Sequence, residues 1–340
     1  MANTKRKKIN LALQGGGAHG AFTWGALDKL LEDGRLDIEG ISGTSAGAIN
    51  AVVIADGYTK NGADGAREAL ENFWTKLSDL GRFSPIQRTP WSMLSNDWSL
   101  DHSPGRMMFD SFTGTFSPYE FNPMNINPLL ELFKSEIDFD HVHACKNFEL
   151  FICATNVRSG KTKVFKNEEI NAKSVMASCC LPEIYQAVEI NGEAYWDGGF
   201  MGNPPLYPLF YETECEDVLL IEVNPIETPE IPRSVRSIHN RLNEITFNAT
   251  LLRELRTVEF VSRLIDEGKL DRDKYRQVKM HAIEPAQAMQ ELSSSSKLNL
   301  ELEFLHYLKN LGRESAAEWL DENFKDIGKK STLNLRKMFE

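Results

Sequence analysis

Ser45 stands at the centre of Gly43-Thr44-Ser45-Ala46-Gly47, between a short apolar run and a stretch of small residues. In a Gly-x-Ser-x-Gly pattern the serine occupies a sharp turn from a strand into a helix, which holds its hydroxyl outward at the positive helix end. The pattern is short and also occurs in ordinary turns. Because the flanking residues predict a strand before it and a helix after it, the sequence favours Ser45 as the nucleophile of an acyl transfer.

A second motif, the glycine loop Gly15-Gly16-Gly17, lies upstream. An acyl-transfer serine needs donors for the oxyanion, and backbone N–H groups before a helix supply them. We therefore predict oxyanion binding by the amides of Gly15, Gly16 and Gly17. A dinucleotide-binding loop is the alternative, but it would need an acidic residue at the end of the second strand. That strand ends in Ile41-Ser42-Gly43, which disfavours NAD.

The candidate base is Asp197, which precedes Gly198-Gly199. Asp-Gly-Gly is also common in turns. A carboxylate titrates near about 3.9, so Asp197 would serve as a base at neutral pH only if it is desolvated or held beside Ser45, and a raised pKa is predicted.

A serine–acid–histidine triad remains an alternative to an aspartate base. The chain order required for it is met by three histidines after Asp197, namely His239, His281 and His306. They fall in the charged segment predicted to be helical rather than beside a strand end, which disfavours the triad.

Strands and helices alternate in the first sixty residues, which predicts an α/β fold with a parallel sheet. The expected early elements are strands at 9–14 and 38–42 and helices at 18–32 and 46–58. Later residues predict a helix at 127–137, strands at 148–155, 161–165 and 218–223, a helix at 168–180, and a hairpin of 187–190 with 194–196 across Asn191-Gly192. Because functional groups in such sheets lie at the carboxyl ends of strands, Ser45 and the glycine loop should meet.

Residues 78–128 form a predicted loop-rich insertion with scattered aromatic and methionine side chains. Long loops of this kind are often functional, and these side chains suit apolar ligands, so a lid or acyl groove is one interpretation. A small satellite core under a surface loop is the other.

Three motifs in this order resemble the patatin-like phospholipase family: Gln14 to Gly20, Gly43 to Gly47, and Asp197 to Gly199. The likeness extends over about residues 9–225, including Gly202-Asn203-Pro204-Pro205. It implies a three-layer α/β/α sandwich around a mainly parallel sheet and a Ser45–Asp197 dyad without histidine. It also implies an oxyanion hole from the glycine loop and hydrolysis of lipid acyl esters with no metal and no cofactor.

His19 departs from the family, which usually carries Arg or Lys at the matching position. A neutral imidazole would add less positive charge near the oxyanion. By its place in the glycine loop we assign His19 to the oxyanion-binding side of the site, together with Gly15, Gly16 and Gly17. Two other interpretations are a catalytic base and a structural histidine, and the structural role is favoured over the base.

The sequence predicts two parts of the chain, a catalytic domain at 1–228 and a helical C-terminal extension at 229–340. Apolar stripes at a helical period support the extension, and Ser315 with Glu318 predicts the start of a last helix. A structural brace on the sheet edge is favoured over a regulatory or membrane-contacting segment.

Composition excludes some functions. A net charge of −11 in 340 residues argues against nucleic-acid binding.

The basic cluster Lys5 to Lys8 has two interpretations, a solvated tail and a segment weakly attracted to anionic lipid. Five cysteines without metal-ligand spacing predict no disulfide framework, no zinc site and a reducing, cytoplasmic setting. Peripheral contact with membranes is a further expectation. No apolar stretch approaches a membrane span of about 20 residues, and the oligomeric state stays open.

The sequence thus predicts a serine-dependent lipid acyl hydrolase acting on phospholipid or another fatty-acyl ester. Two alternatives remain open: a weakly active lipid-binding or regulatory protein, and an acyltransferase or polyester depolymerase that uses the same acyl-enzyme.

Overall fold

The computed structural model describes residues 6–228 and 231–339. Within these ranges the chain forms strands β1 (Lys7–Leu13), β2 (Leu36–Thr44), β3 (Glu149–Asn156), β4 (Thr162–Lys166), β5 (Val188–Ile190), β6 (Glu193–Asp197), β7 (Asp217–Ile221) and β8 (Lys279–Ile283). No helix in the described ranges has the length and apolar character needed to span a membrane.

The helices of the same ranges include the long α1, α2, α10 and α12 and several short ones. In chain order they are α1 (Gly20–Asp33), α2 (Ala46–Gly81), α3 (Pro90–Leu94), α4 (Pro104–Thr113), α5 (Pro118–Phe121), α6 (Pro128–Glu136), α7 (Phe139–Ala144), α8 (Ala172–Ser178), α9 (Tyr207–Glu212), α10 (Val235–Asp266), α11 (Gln287–Gln290), α12 (Leu302–Asn323) and α13 (Leu335–Phe339).

All eight strands join one sheet in the order β5-β6-β3-β2-β1-β7-β8, with β4 also paired to β3. The pairs from β3 through β2, β1 and β7 to β8 are parallel, whereas β4, β5 and β6 run antiparallel to their neighbours. Parallel strands joined through helices require cover on both faces. The mainly parallel sheet predicted from the sequence is confirmed.

Side chains alternate along each central strand between two separate cores. Leu11 and Leu13 of β1 point into a core shared with α1, α2 and α12. Ala12 between them points into a second core with Leu251 and Leu255 of α10. Because successive residues of a strand face opposite sides, this division shows helices on both faces of the sheet. The predicted three-layer α/β/α sandwich is therefore confirmed.

The prediction that everything after residue 228 is helical is wrong, because β8 extends the sheet parallel to β7. Ser315 does not begin a helix either, since it lies inside α12. The predicted boundary at residue 229 falls on positions outside the described ranges.

Three further predictions differ from the structure. The helix after Ser45 continues to Gly81, with a break at Asn61 and Gly62. The insertion forms the short helices α3, α4 and α5 rather than loop alone. The predicted basic tail includes Lys7 and Lys8, which lie in β1, and Lys7 Nζ donates to Phe324 O at 2.7 Å; Lys5 lies outside the described residues.

Candidate active site

Ser45 joins the end of β2 to the start of α2 in a strained backbone conformation. Its φ of 54° and ψ of −120° lie in a region that side chains other than glycine rarely adopt. The turn is tight, because a Cβ added at Gly43 would lie 2.6 Å from Gly47 O. Ser45 is partly exposed at the carboxyl edge of the sheet, as its predicted role requires.

Asp197 is the last residue of β6 and lies beside this turn. Its side chain is buried, at 1% exposed, and is within hydrogen-bonding reach of the Ser45 side chain. Asp197 Oδ1 also accepts the Gly199 N–H at 2.7 Å. The hairpin of β5 and β6 delivers this carboxyl, and Asn191 and Gly192 at its turn both have positive φ, as the Asn-Gly signal predicts.

Burial raises the pKa of Asp197 from 3.8 to about 7, because desolvation disfavours the carboxylate. The hydrogen bonds from Gly199 and Ser45 oppose this rise in pKa, and the negative charge of Glu183 adds to it. The direction of the shift is the one that the sequence predicts for a base. A carboxyl with this pKa exists as an acceptor in a large fraction of molecules at neutral pH and binds a proton readily there.

The glycine loop lies against the elbow, since a Cβ added at Gly15 would lie 2.7 Å from Ser45 Cβ. The Gly15 N–H already has an acceptor, because it donates to Asn203 Oδ1 at 2.6 Å. Gly17 has a φ of 59°. Among the described residues the amides of Gly16 and Gly17 have no protein acceptor, so these two remain the candidate oxyanion donors, and Gly15 could donate only after release from Asn203.

His19 follows the loop, and its side chain packs against Ser296 and Phe304 of the C-terminal extension. Its Nε2 lies 2.7 Å from Ser296 Oγ, and its side chain is buried. Burial, together with the nearby Lys297, lowers the pKa of His19 to about 3, so the ring is neutral at physiological pH. This placement fits a structural histidine.

The three histidines of the alternative triad lie elsewhere. His281 contacts Asp217 and Thr332, and His306 pairs with Glu71. His239 is exposed on α10. In the part of the chain that the structure describes, none of them is brought to Ser45 or Asp197.

Several supporting residues complete the site. Ser178 Oγ accepts the Ser45 N–H at 2.9 Å, and Gln14 Oε1 accepts the backbone N–H groups of Val223 and Asn224. Gln14 and Asn203 fall inside the sequence motifs, but no local pattern identifies Ser178 or Asn224. Burial raises the pKa of Cys179, which also contacts the Ser45 side chain, well above its usual range, so it stays a neutral thiol.

Comparison with solved structures finds VipD from Legionella pneumophila, at 14% identity and a TM-score of 0.42, covering 93% of this chain and 67% of VipD. A second match is the heterodimeric ExoU–SpcU complex from the type III secretion system of Pseudomonas aeruginosa, at 17% identity and a TM-score of 0.41, covering 95% of this chain. The present chain spans about half (53%) of that second matched chain.

No curated protein matches the chain. A sequence model of one family, described as "Patatin-like phospholipase", matches residues 11–210. This range contains the glycine loop, Ser45 and Asp197 and makes up more than half of the 340 residues. The chain therefore belongs to the patatin-like phospholipase family.

Proposed function

We propose that this protein is a lipid acyl hydrolase, a phospholipase A or related carboxylic ester hydrolase, that works through an acyl-enzyme on Ser45. The observation that carries the proposal is the elbow itself. It holds Ser45 at a positive φ, beside the buried Asp197 carboxyl and against the glycine loop. Family membership supports a lipid ester as substrate.

In the first half-reaction Ser45 Oγ attacks the ester carbonyl carbon while Asp197 accepts the hydroxyl proton. The carbonyl oxygen becomes an oxyanion, which the amides of Gly16 and Gly17 stabilise; one such donor is worth about 2.7–4 kcal/mol in comparable sites. The tetrahedral intermediate then breaks the bond to the leaving alcohol, which takes the proton from Asp197. The products are free alcohol and acyl-Ser45.

In the second half-reaction water attacks the acyl-serine and Asp197 accepts a proton from it. Collapse of the second tetrahedral intermediate releases the fatty acid and returns the proton to Ser45 Oγ. One carboxyl group with a pKa near neutrality serves both steps, because it must be ionised to accept the proton and protonated to return it.

Labelling with a fluorophosphonate tests the nucleophile without knowledge of the natural substrate. We expect the unaltered protein to label and Ser45→Ala not to label, while Ser159→Ala, on an exposed turn, labels normally. Asp197→Asn should fold and lose about 10²–10⁴-fold in turnover. Equal labelling of the unaltered protein and Ser45→Ala would exclude Ser45 as the nucleophile.

The acceptor and the lipid are separate questions with separate measurements. Product analysis with phospholipid vesicles, with and without an added alcohol, distinguishes a hydrolase, which releases fatty acid, from an acyltransferase, which forms a new ester. Lipid that co-purifies with the protein without any ester turnover or labelling would instead favour a binding or regulatory role.

A further inference from the structure

The C-terminal extension supplies part of the wall of the glycine loop. Its 3₁₀ helix Ser294–Leu298 packs on the 3₁₀ helix Gly17–His19. A Cβ added at Gly17 would lie 2.5 Å from Lys297 O and 3.5 Å from Lys297 Cβ. This contact comes from residues outside the range 11–210 that the family shares.

The ammonium group of Lys297 is linked to the glycine loop through one intermediate side chain. Lys297 Nζ donates to Asn224 Oδ1 at 2.8 Å, and Asn224 Nδ2 donates to Gly15 O at 2.6 Å. The backbone N–H of Asn224 is fixed in turn by Gln14 Oε1 at 3.0 Å. Two hydrogen bonds therefore join a cation to the loop whose amides are the proposed oxyanion donors.

Charge makes this link more than a packing contact. His19 is neutral, so the loop itself carries no cationic side chain at this position. Lys297 is partly buried, and the opposite charge that faces it is Glu244 of α10, which is already paired with Arg241 at 3.1 Å. A positive charge in a poorly solvated place interacts with a nearby anion far more strongly than one in water.

We propose that Lys297 is a positioning residue of the oxyanion hole: it aligns the glycine loop through Asn224 and supplies the positive charge that His19 does not carry. The proposal rests on the acyl-enzyme mechanism proposed above. It assigns a part in the reaction to the C-terminal extension, beyond its part in packing.

Four variants separate charge from structure, with fluorophosphonate labelling rates and ester kinetics as readouts. Lys297→Met and Lys297→Gln remove the charge, and Lys297→Arg keeps it. Lys309→Met is the matched control, because Lys309 is a partly buried lysine of the same extension that pairs with Glu71. We expect the two neutral variants to lose about 10–100-fold in kcat and in labelling rate with KM nearly unchanged. Lys297→Arg should recover most of the rate, and Lys309→Met should react normally.

The pH profile gives a readout that a packing role would not change. Burial lowers the pKa of Lys297, and Glu244 opposes this fall in pKa, while His19 stays neutral. The charged form is the active one, so the rate should fall at alkaline pH as the ammonium loses its proton. In Lys297→Arg this alkaline fall should move to higher pH, and the acid limb set by Asp197 should stay in place.

Rates of Lys297→Met and Lys297→Gln within twofold of the unaltered protein would overturn the proposal. So would a Lys297→Arg protein that is as slow as Lys297→Gln. If Lys297→Met does not fold, as judged by thermal melting, the comparison of Lys297→Gln with Lys297→Arg still separates the two outcomes. The acyl-enzyme mechanism fails by a different result, namely labelling that persists in Ser45→Ala, and the proposal for Lys297 then fails with it.

Discussion

At the scale of single residues, Asp197 should set the acid limit of activity. Its pKa is raised to about 7 by burial, and only the ionised carboxylate accepts the Ser45 proton. Below that pH the carboxyl is protonated and the base is lost, so kcat/KM should rise through pH 6–8 and reach a plateau, before the alkaline fall expected from deprotonation of Lys297. The measurement is kcat/KM for a soluble ester between pH 5 and 9, over the range where the protein stays folded.

Glu183 provides a matched control for the acid limb of the pH profile, the range in which kcat/KM rises as Asp197 ionises. Its negative charge raises the pKa of Asp197, and its own side chain is exposed. Glu183→Gln should therefore move the acid limb to lower pH, with little change in the plateau. An acid limb near pH 4, where an ordinary carboxyl titrates, would contradict the buried-base mechanism.

Ionisation of the buried Asp197 should also lower the free energy of unfolding at neutral and alkaline pH. Asp197 has a pKa of about 7 when folded and about 3.9 when unfolded, so the folded state holds the proton more tightly. Its contribution to stability is full below pH 4, is lost as pH rises to 7, and stays constant above that. Relative to the unaltered protein, Asp197→Asn should gain about 2–3 kcal/mol in free energy of unfolding between pH 5 and 8.

Urea unfolding at pH 5 and at pH 8 measures this gain in the free energy of unfolding. Ser45→Ala is the control, because it removes the nucleophile and leaves the Asp197 carboxyl in place, so it should keep most of the pH dependence of the unaltered protein. A difference between Asp197→Asn and the unaltered protein that does not change with pH would mean that Asp197 titrates normally in the folded state.

At the scale of elements, the insertion has an anchored part and an exposed part. The first part is tied to the C-terminal extension, where Leu100 N donates to Ser295 Oγ and Arg88 pairs with Glu301. The second part, residues 104–126 with α4 and α5, buries few side chains. It exposes large apolar ones, namely Met107, Met108, Phe112, Phe116, Tyr119, Met124 and Ile126.

The exposed part reaches the loop that follows Cys179 and Cys180. Gln186 Nε2 donates to Asn122 O at 2.7 Å, and Ala187 N donates to the Tyr119 hydroxyl at 3.2 Å. This loop continues from Cys180, whose carbonyl accepts the Asp197 N–H, into β5. Apolar side chains near a lipid hydrolase site suit contact with acyl chains or a lipid surface.

We therefore predict that Met107→Asp with Met108→Asp lowers activity on phospholipid vesicles about tenfold or more, because it places charge where apolar contact forms. Activity on a short soluble ester should stay within twofold. The control is Tyr275→Asp, on an exposed turn after α10. Equal losses on both substrates would mean that the insertion shapes the active site rather than the lipid contact.

The sequence predicts an element when a local signal marks it, and it misses an element whose buried polar side chains find their partners far away in the chain. The hairpin of β5 and β6 is readable because Asn191-Gly192 supplies the two positive φ angles of its turn. β8 is not readable, because Lys279 and His281 interrupt its apolar pattern. Their side chains are buried against Glu216 and Asp217, partners that only the folded chain brings close.

At the scale of the whole molecule, the site draws on residues from distant parts of the sequence. Local motifs identify Ser45, the glycine loop and Asp197 because strand ends and turns impose their residue types. Lys297 has no such signal, since its contacts with Gly17 and Asn224 join parts of the chain that are far apart in the sequence. Long-range contacts of this kind are not encoded in any local pattern.

The C-terminal extension is also part of the core. Phe304, Leu305 and Leu308 of α12 are fully buried against α1, and Gly312 lies so close to Phe22 O that a Cβ would not fit. Burial of three such side chains is worth about 1.5–3 kcal/mol each, which together is comparable to the whole stability of a typical domain, about 5–15 kcal/mol.

We therefore predict that the fragment 1–228, which holds the nucleophile, the base and the glycine loop, does not fold alone. It would lose α12 from α1, β8 from the edge of β7 and α10 from the second core. Calorimetry should show no cooperative melt, and the fragment should bind a hydrophobic dye and fail to label with fluorophosphonate.

Truncation after Ile327 is the graded control for this fragment. It keeps β8 and α12 and removes the contact of Thr332 with His281 and the packing of Leu335, so it should still melt cooperatively at a lower temperature. A cooperative melt together with normal labelling of fragment 1–228 would show that the catalytic domain is independent and that the extension, Lys297 included, is dispensable for the chemistry. Loss of the melt in the short fragment alone would show that the fold requires the extension.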